Sequence, residues 1–380
     1  MQVLLSEEHE MIRDSAREFA ERTLKPNAAT WDREERFPTE AIQEAAENGF
    51  LGLTVPEQYG GAGLGSLHAV ILLEEVNRWC AGTGVTLSVH NSLICGPIAK
   101  YGSDDQKQRW LPQLAAGERI GAYCLTEPQA GSDAASIRTR ADRVDGGWRL
   151  TGTKSWITTG PDAGLFVVYA VTDPEGKRGN NIGCFLVPAE ADGLTVGKKE
   201  QKLGIRASST SEMIFEEVFV PDADVIGDPS QGFKIALETL DAGRIGIAAQ
   251  AVGIHRACLE DSVLYANQRE QFGKSIGRFQ AVAWKLADMA TELEASRLLV
   301  HQAAALRDAG QPCTKAAAMA KLHASKACNL AAQDAVQIHG GAGYTKEFQV
   351  ERYYRDARIT EIYEGATDIQ RLVISRHLLG

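Results

Sequence analysis

Arg355-Asp-Ala-Arg-Ile-Thr-Glu-Ile-Tyr-Glu-Gly-Ala-Thr-Asp-Ile-Gln370 is the stretch around which the chain is organised. A helix with apolar residues at helical spacing runs toward Thr360. A second begins near Thr367, whose hydroxyl stands three residues ahead of Gln370 in a capping-box arrangement. Between them Gly365 lets the chain turn without a Cβ penalty. Glu364 is thereby presented on a short inter-helix turn beside Ile362 and Tyr363. A carboxylate held against apolar neighbours loses hydration, and its pKa rises by ~2 units or more once well buried, which makes a stronger base. The plain alternative is a solvated glutamate at a helix end.

Working outward, other segments carry the residue types of a ligand site. Tyr123-Cys-Leu-Thr-Glu-Pro-Gln-Ala-Gly-Ser-Asp133 ends in small polar residues. Gly131 and Ser132 leave backbone N–H groups open to an oxygen-rich ligand, and Thr126 adds a hydroxyl. Alone, this is an N-cap loop. Trp156-Ile157-Thr158 follows Gly-Thr-Lys-Ser, where a tryptophan is more often core than a cofactor shelf. Asp241-Ala-Gly-Arg244 opens the first long C-terminal helix, and a surface i,i+3 ion pair is its plain account. Gln250 lies one and a half to two turns past Gly243 on one face of that helix. Arg269 in Arg-Glu-Gln-Phe-Gly273 offers a planar fork suited to pyrophosphate. Gln337-Ile338-His339-Gly340-Gly341 supplies glycines where a backbone can approach phosphate, with His339 a structural histidine.

At 380 residues, 44% hydrophobic and 24% charged, the chain has room for two or three domains. A net charge of −10 argues against nucleic acid and anionic membranes as partners. No apolar run approaches the roughly 20 residues that span a bilayer. The seven cysteines stand singly without a CxxC pair, so reduced structural cysteines are expected, and no metal site. The start, Met1-Gln-Val-Leu-Leu-Ser-Glu-Glu, has neither a basic n-region nor an Arg-rich amphipathic leader, which suggests a cytoplasmic protein.

The texture divides in three, an α+β multidomain class with expected domains at 1–121, 122–226 and 227–380. The first is helical: Ser6 caps a helix with an acidic first turn and Met11, Ile12, Ala16, Phe19 and Ala20 on one face. Further helices start at Pro38-Thr39-Glu40, span 69–79, and start at Ser103-Asp104-Asp105-Gln106. Tyr59-Gly-Gly-Ala-Gly-Leu-Gly65 lacks the spacing and the βαβ context of a dinucleotide fingerprint and reads as a bend. The second part has strand patterns at 148–151, 165–171, 183–188 and 212–220, with turns at Asp145-Gly146-Gly147 and Pro174-Glu175-Gly176. The third has helical runs at 233–267, 278–309, 315–337, 347–359 and 367–379, which suggests a bundle.

The Tyr363-Glu364-Gly365 turn with Ile369-Gln370-Arg371 resembles the catalytic-glutamate segment of the acyl-CoA dehydrogenases, most closely the short-chain (butyryl-CoA) branch. The likeness covers essentially the whole chain. It implies an N-terminal helical domain, a middle β domain, a C-terminal four-helix bundle, and FAD as cofactor. By this resemblance Glu364 is the catalytic base that removes the α-proton of an acyl-CoA while the β-hydrogen leaves as hydride to the flavin. The thioester oxygen is held by the Glu364 N–H and a ribityl hydroxyl. Tyr123, Cys124, Leu125, Thr126, Gly131 and Ser132 match a flavin-binding segment, with Ser132 also facing CoA. Trp156 corresponds to a residue packed on the flavin, with Ile157 and Thr158 near its reactive nitrogen. Asp241, Arg244 and Gly365 fall on the substrate side.

Some branches of the family carry the base at the position of Gly243, so here only Glu364 is left for the role. Arg269, Phe272 and Gln280 match residues that reach the flavin dinucleotide of a neighbouring subunit, and Gln337, Ile338, His339, Gly340 and Gly341 lie near its phosphate or adenosine. The site then needs two chains, and the family is usually tetrameric. Many relatives have Thr-Ser after the turn. Ala366, Thr367 and Asp368 depart from this, and Thr367 would supply the missing hydroxyl to the flavin. Gln250 and Thr360 match the short-chain branch, where they close the pocket floor. The resemblance implies an electron-transferring flavoprotein as acceptor. The alternatives are a branched acyl-CoA substrate, or a flavoprotein of this type with another task.

Overall fold

The computed structural model describes residues 5–380; the first half of the opening stretch read above for a leader, residues 1–4, lies outside them. Helix α1 (Glu7–Phe19) starts where Ser6 and His9 cap each other's backbone N–H, and its first turn carries Glu7, Glu8 and Glu10. Ala16 and Phe19 are buried, but Met11 is 70% exposed and does not belong to the inward face assigned to it. A π-helical turn (Ala20–Leu24) joins α1 to α2 (Lys25–Glu34), and α3 is Thr39–Glu47.

The helix expected at 69–79 is α4 (Ser66–Asn77). A rod with no amphipathic stripe follows: α5 (Ala81–Val89), a π-helical turn (His90–Cys95) and α6 (Gly96–Tyr101). Every residue of α5 is buried, and a helix packed all round shows no period in its sequence. Helix α7 (Asp104–Ala115) carries the expected capping box from Ser103 to Gln106.

The middle of the chain forms one seven-stranded sheet: β1 (Gly121–Cys124), β2 (Arg140–Val144), β3 (Gly147–Thr158), β4 (Leu165–Val171), β5 (Ile182–Pro188), β6 (Leu194–Lys199) and β7 (Thr210–Pro221). Asp145-Gly146 makes the two-residue hairpin between β2 and β3, with Gly146 at φ 73°. β4 is flanked on both sides, by β5 antiparallel on one and by β1 and the start of β2, both parallel, on the other. Its odd residues Leu165, Val167 and Tyr169 face the helices. Its even residues Phe166, Val168 and Ala170 face a second core with Cys124, Ile157, Phe185 and Phe215. Burial on both faces explains the unbroken apolar run of this strand.

The last part holds three long helices, α8 (Gly232–Gln268), α9 (Gln280–Asp308) and α10 (Thr314–His339), then the short α11 (Val350–Ile359) and α12 (Thr367–Leu379). Three expectations are corrected here. Helix α8 begins nine residues before Asp241, so that residue lies in its third turn and its ion pair with Arg244 is buried rather than superficial. Helix α11 stops at Ile359, so Thr360 is not on a helix continuing to Glu364. Thr367 is the first residue of α12 and not its cap; Ala366 holds that position, and the Thr367 hydroxyl donates back to the Glu361 carbonyl. Among the described residues no helix is long and apolar enough to cross a membrane, and all seven cysteines are free.

Candidate active site

Glu364 sits between α11 and α12 in the left-handed region, at φ 52°, followed by Gly365 at φ 97°. The preceding turn is closed by Ile362 and Tyr363 N–H groups that both donate to the Ile359 carbonyl, at 2.8 and 3.2 Å. Consecutive left-handed residues swing the Glu364 side chain off the helix axis and toward α8. A Cβ at Gly243 would overlap Glu364 Oε2 and come within 3.1 Å of Leu93. The glycine of α8 is therefore the space into which the carboxylate projects. Glu364 Oε2 is buried and has no hydrogen-bond partner. Burial pushes this carboxyl up to about 7, against the pull of Lys321 and then Arg244. Among the described residues the Glu364 N–H meets no acceptor either.

Around this turn the substrate-side residues of the sequence reading divide. Arg244 donates to Asp241 at 2.8 Å, Asp241 accepts from Thr314 at 2.6 Å, and Arg244 Nε is buried without a partner. Gln250 is fully buried; it donates to the Ala81 carbonyl at 3.0 Å and accepts from the Tyr363 hydroxyl. It thus links α5, α8 and the Glu364 turn. Thr360 is fully buried too, but its hydroxyl donates to Ala357 at 2.7 Å on its own helix and lies 3.4 Å from the Asn329 amide of α10.

The sheet brings the Tyr123 and Trp156 segments together. Ser155 N–H donates to the Thr126 carbonyl at 2.9 Å. A register shift in β3 between Lys154 and Ile157, with Trp156 at φ 62°, throws the indole outward, where it is 61% exposed. That excludes the plain alternative of a core tryptophan. Cys124 and Ile157 instead point into the second core, so only their backbones face this side. Leu125 is buried, Thr126 and Thr158 are half-buried, and Gly131 and Ser132 are exposed. The Tyr123 hydroxyl is buried without a partner, its ring centroid 5.1 Å from that of Tyr169. Burial, with Glu364 among the charges it feels, holds that hydroxyl well above its ordinary range.

A second cluster forms at the far end of the bundle. Tyr265 of α8 stacks on His339 at 4.2 Å and donates to the His339 carbonyl at 3.3 Å. This places Arg269, with 93%-exposed Phe272 and exposed Gln280, near exposed Gln337, Gly340 and Gly341. Ile338 and His339 face inward, and His339 Nδ1 bonds the Ala335 carbonyl, as expected of a structural histidine. From Gly243 to Arg269 is 26 residues of helix, roughly 39 Å. Asp368 is exposed and paired with Arg371 at 2.7 Å. A separate cavity of about 430 Å³ lies between α4, α5 and α8, with Ser88, Ile245 and Asp308 in its wall; it does not include Glu364.

The sequence reading missed Lys321, which is fully buried and donates to the Gly365 carbonyl at 2.6 Å. The stretch Lys315-Ala-Ala-Ala-Met-Ala-Lys321, a lysine closing a small-residue run, was the available signal. It also missed the buried pair Glu127–Lys154 under the Tyr123 loop. The site as a whole presents an exposed flat aromatic, open glycine backbone, and buried polar atoms without partners, among them Glu364 Oε2, Tyr123 OH and Arg244 Nε. These residues fit a flat flavin ring and a thioester between them.

Comparison with known proteins agrees along the whole chain. Family models described as acyl-CoA dehydrogenase N-terminal, middle and C-terminal domains match residues 6–118, 122–218 and 230–379. The short-chain specific acyl-CoA dehydrogenase of Rattus norvegicus mitochondria is 51% identical over 377 residues, covering 99% of this chain and 91% of that one. Butyryl-CoA dehydrogenase from Megasphaera elsdenii superposes with a TM-score of 0.98 at 41% identity, over 100% of both chains. A chain solved in work on the electron transferring flavoprotein of Acidaminococcus fermentans gives 0.98 at 44% identity, also over 100% of both. The chain, a flavin-dependent oxidoreductase, belongs to the acyl-CoA dehydrogenase family.

Proposed function

We propose that this chain dehydrogenates a short, straight acyl-CoA to the trans-2-enoyl-CoA, with Glu364 as the base. The observation that carries the reading is the Glu364 carboxylate itself: unpartnered, lifted to about 7 by burial, and projecting into the space left by Gly243. A base poised near the working pH is effective because it is ionised yet still holds a proton well. Glu364 takes the α-proton. Its unpaired backbone N–H is a donor for the thioester oxygen, and preorganised donors of this kind contribute about 3 kcal/mol each. FAD, when bound, supplies the two-electron acceptor for the β-hydrogen. Trp156, Thr158, Thr126 and the open backbone at Gly131 and Ser132 would hold its ring side, with Tyr123 beneath. Thr367 already donates to Glu361, so a hydroxyl contact from it needs a shared bond.

The roughly 39 Å of α8 that separates Gly243 from Arg269 supports the cross-subunit reading, in which Arg269, Phe272, Gln280 and Gln337 to Gly341 serve the dinucleotide of a neighbouring copy. A homotetramer accommodates this. The butyryl-CoA and short-chain names of the relatives favour a short acyl group, and the flavoprotein work on the Acidaminococcus chain favours an electron-transferring flavoprotein as acceptor. The test is Glu364→Gln, isosteric but unable to accept the proton. Mixed anaerobically with butyryl-CoA, the variant should keep its flavin and leave the oxidised spectrum unbleached. Bleaching at near the unmutated rate would remove Glu364 from the role.

A further inference from the structure

Two donors converge on one carbonyl beside Glu364. Lys321 Nζ of α10 donates to the Gly365 oxygen at 2.6 Å, and Gln370 Nε2 of α12 donates to the same oxygen at 2.7 Å. Both side chains are fully buried. A buried ammonium is costly to desolvate unless a carboxylate pairs with it. Among the described residues Lys321 has no ion-pair partner within 4.0 Å and donates to a neutral carbonyl. What the bond secures is the turn in which Glu364 and Gly365 are both left-handed. A non-glycine residue persists there only when its surroundings over-determine it. The grip of α10 from one side and α12 from the other does so, and the Thr367 N–H closing on the Glu361 carbonyl at 3.0 Å completes the ring.

We infer that Lys321 and Gln370 are positioning residues for the base, and that the Lys321 charge also sets how basic Glu364 is. The inference rests on the reading of Glu364 as base. The groups facing the carboxylate are Lys321 from α10, Arg244 from α8, the neutral Tyr123 from β1 and the adjacent Tyr363, whose hydroxyl is engaged by Gln250. Arg244 shares its charge with Asp241 at 2.8 Å, whereas Lys321 has no such partner. Lys321 is accordingly the foremost charge opposing the upward push of burial on Glu364. Burial in turn brings Lys321 down to about 8, with Glu364 the foremost charge resisting.

The test follows flavin bleaching by butyryl-CoA in the holoenzyme, anaerobically, from about pH 5.5 to about pH 9. The unmutated rate should rise to a plateau as Glu364 ionises. In Lys321→Met the midpoint should move up by about one unit, and the plateau should fall by about tenfold or more. Lys321→Arg keeps the charge and should keep the midpoint. Gln370→Leu removes a grip without a charge and should lower the plateau at an unchanged midpoint. A merely structural lysine would lower rates without moving the midpoint, so an unmoved midpoint in Lys321→Met overturns the electrostatic part. Unchanged plateaus in Lys321→Met and Gln370→Leu overturn the positioning part. If Lys321→Met does not retain flavin, Lys321→Gln is read by the same two criteria. These failures are distinct from failure of the base assignment, which Glu364→Gln reports separately.

Discussion

Two buried lysine–glutamate couples lie in this molecule, and they are opposites. Under the Tyr123 loop, Lys154 (0% exposed) donates directly to Glu127 (3% exposed) at 2.7 Å and to the Leu125 carbonyl at 3.1 Å. Glu127 also accepts from the Arg138 and Thr139 N–H groups, at 2.6 and 2.9 Å, and from Gln129 at 2.7 Å. Burial raises its pKa, but Lys154 and these donors win and hold it down at about 2. In the helical bundle, Lys321 bonds a carbonyl instead, Glu364 Oε2 bonds nothing, and burial carries Glu364 up to about 7. The same two residue types thus give a locked strut in one place and a reactive carboxylate in the other. The difference lies in the hydrogen bonds to the ionised oxygens, since both carboxylates have a buried lysine among the charges that act on them.

The strut should be the costliest thing to break. Lys154→Met leaves Glu127 buried with its counter-charge gone, and is expected to destabilise by about 3–5 kcal/mol, read by urea or thermal unfolding. A loss under 1 kcal/mol would mean the backbone donors alone suffice and the contrast is overstated.

The same substitution should have opposite signs in the two couples. Glu127 has its pKa lowered from 4.5 to about 2, so its contribution is fully present above pH 4.5 and fades as pH falls toward 2. Glu127→Gln should therefore destabilise at pH 8, by up to roughly 3 kcal/mol. Glu364 has its pKa raised to about 7, so ionisation penalises the folded state increasingly from pH 4.5 to 7 and fully above it. Glu364→Gln should stabilise at pH 8 by up to roughly 3 kcal/mol and be nearly neutral near pH 4.5. Equal signs at pH 8 would break the comparison.

The smallest effect concerns the far wall of the site. Gln250 ties the Tyr363 hydroxyl to Ala81, and Thr360 is spent on its own helix, so a longer acyl chain gains no burial against either. Each methylene accommodated is worth about 0.8 kcal/mol, a factor of roughly four. The unmutated enzyme should peak near about four to six acyl carbons, and Gln250→Gly with Thr360→Ala should move the peak to longer chains. An unmutated enzyme faster on octanoyl-CoA than on butyryl-CoA would remove the short-chain assignment.

What the sequence revealed and hid follows from how each element is held. The C-terminal helices were legible to within about three residues because they are long runs of strong helix formers, rich in Ala and Leu and free of Pro, and the Asp145-Gly146 hairpin because only a few residue types turn that way. Helix α5 was not, since Gly-Thr-Gly-Val-Thr-Leu-Ser-Val is buried on every side. Short β1 and β2 and the exposed β6 have too little pattern to register. Glu364 was legible as an exceptional glutamate on a glycine turn, but its own left-handed backbone was not, because nothing local demands it. Glu127 and Lys154 stand 27 residues apart and meet only through the sheet. Lys321 and Gly365 meet only through the bundle.

Gly243 carries a consequence for how such a site can change. A side chain there would occupy the volume of the Glu364 carboxylate. Relocating the base from the turn to α8 therefore takes two substitutions, and each intermediate is defective. Glu364 lost first leaves no base. Glutamate gained first at 243 forces two carboxylates into one volume, where both cannot ionise. A side chain at 243 first has to displace the flexible end of Glu364, so the two placements of the base compete for one volume and a lineage with this glycine is biased toward its turn-borne glutamate.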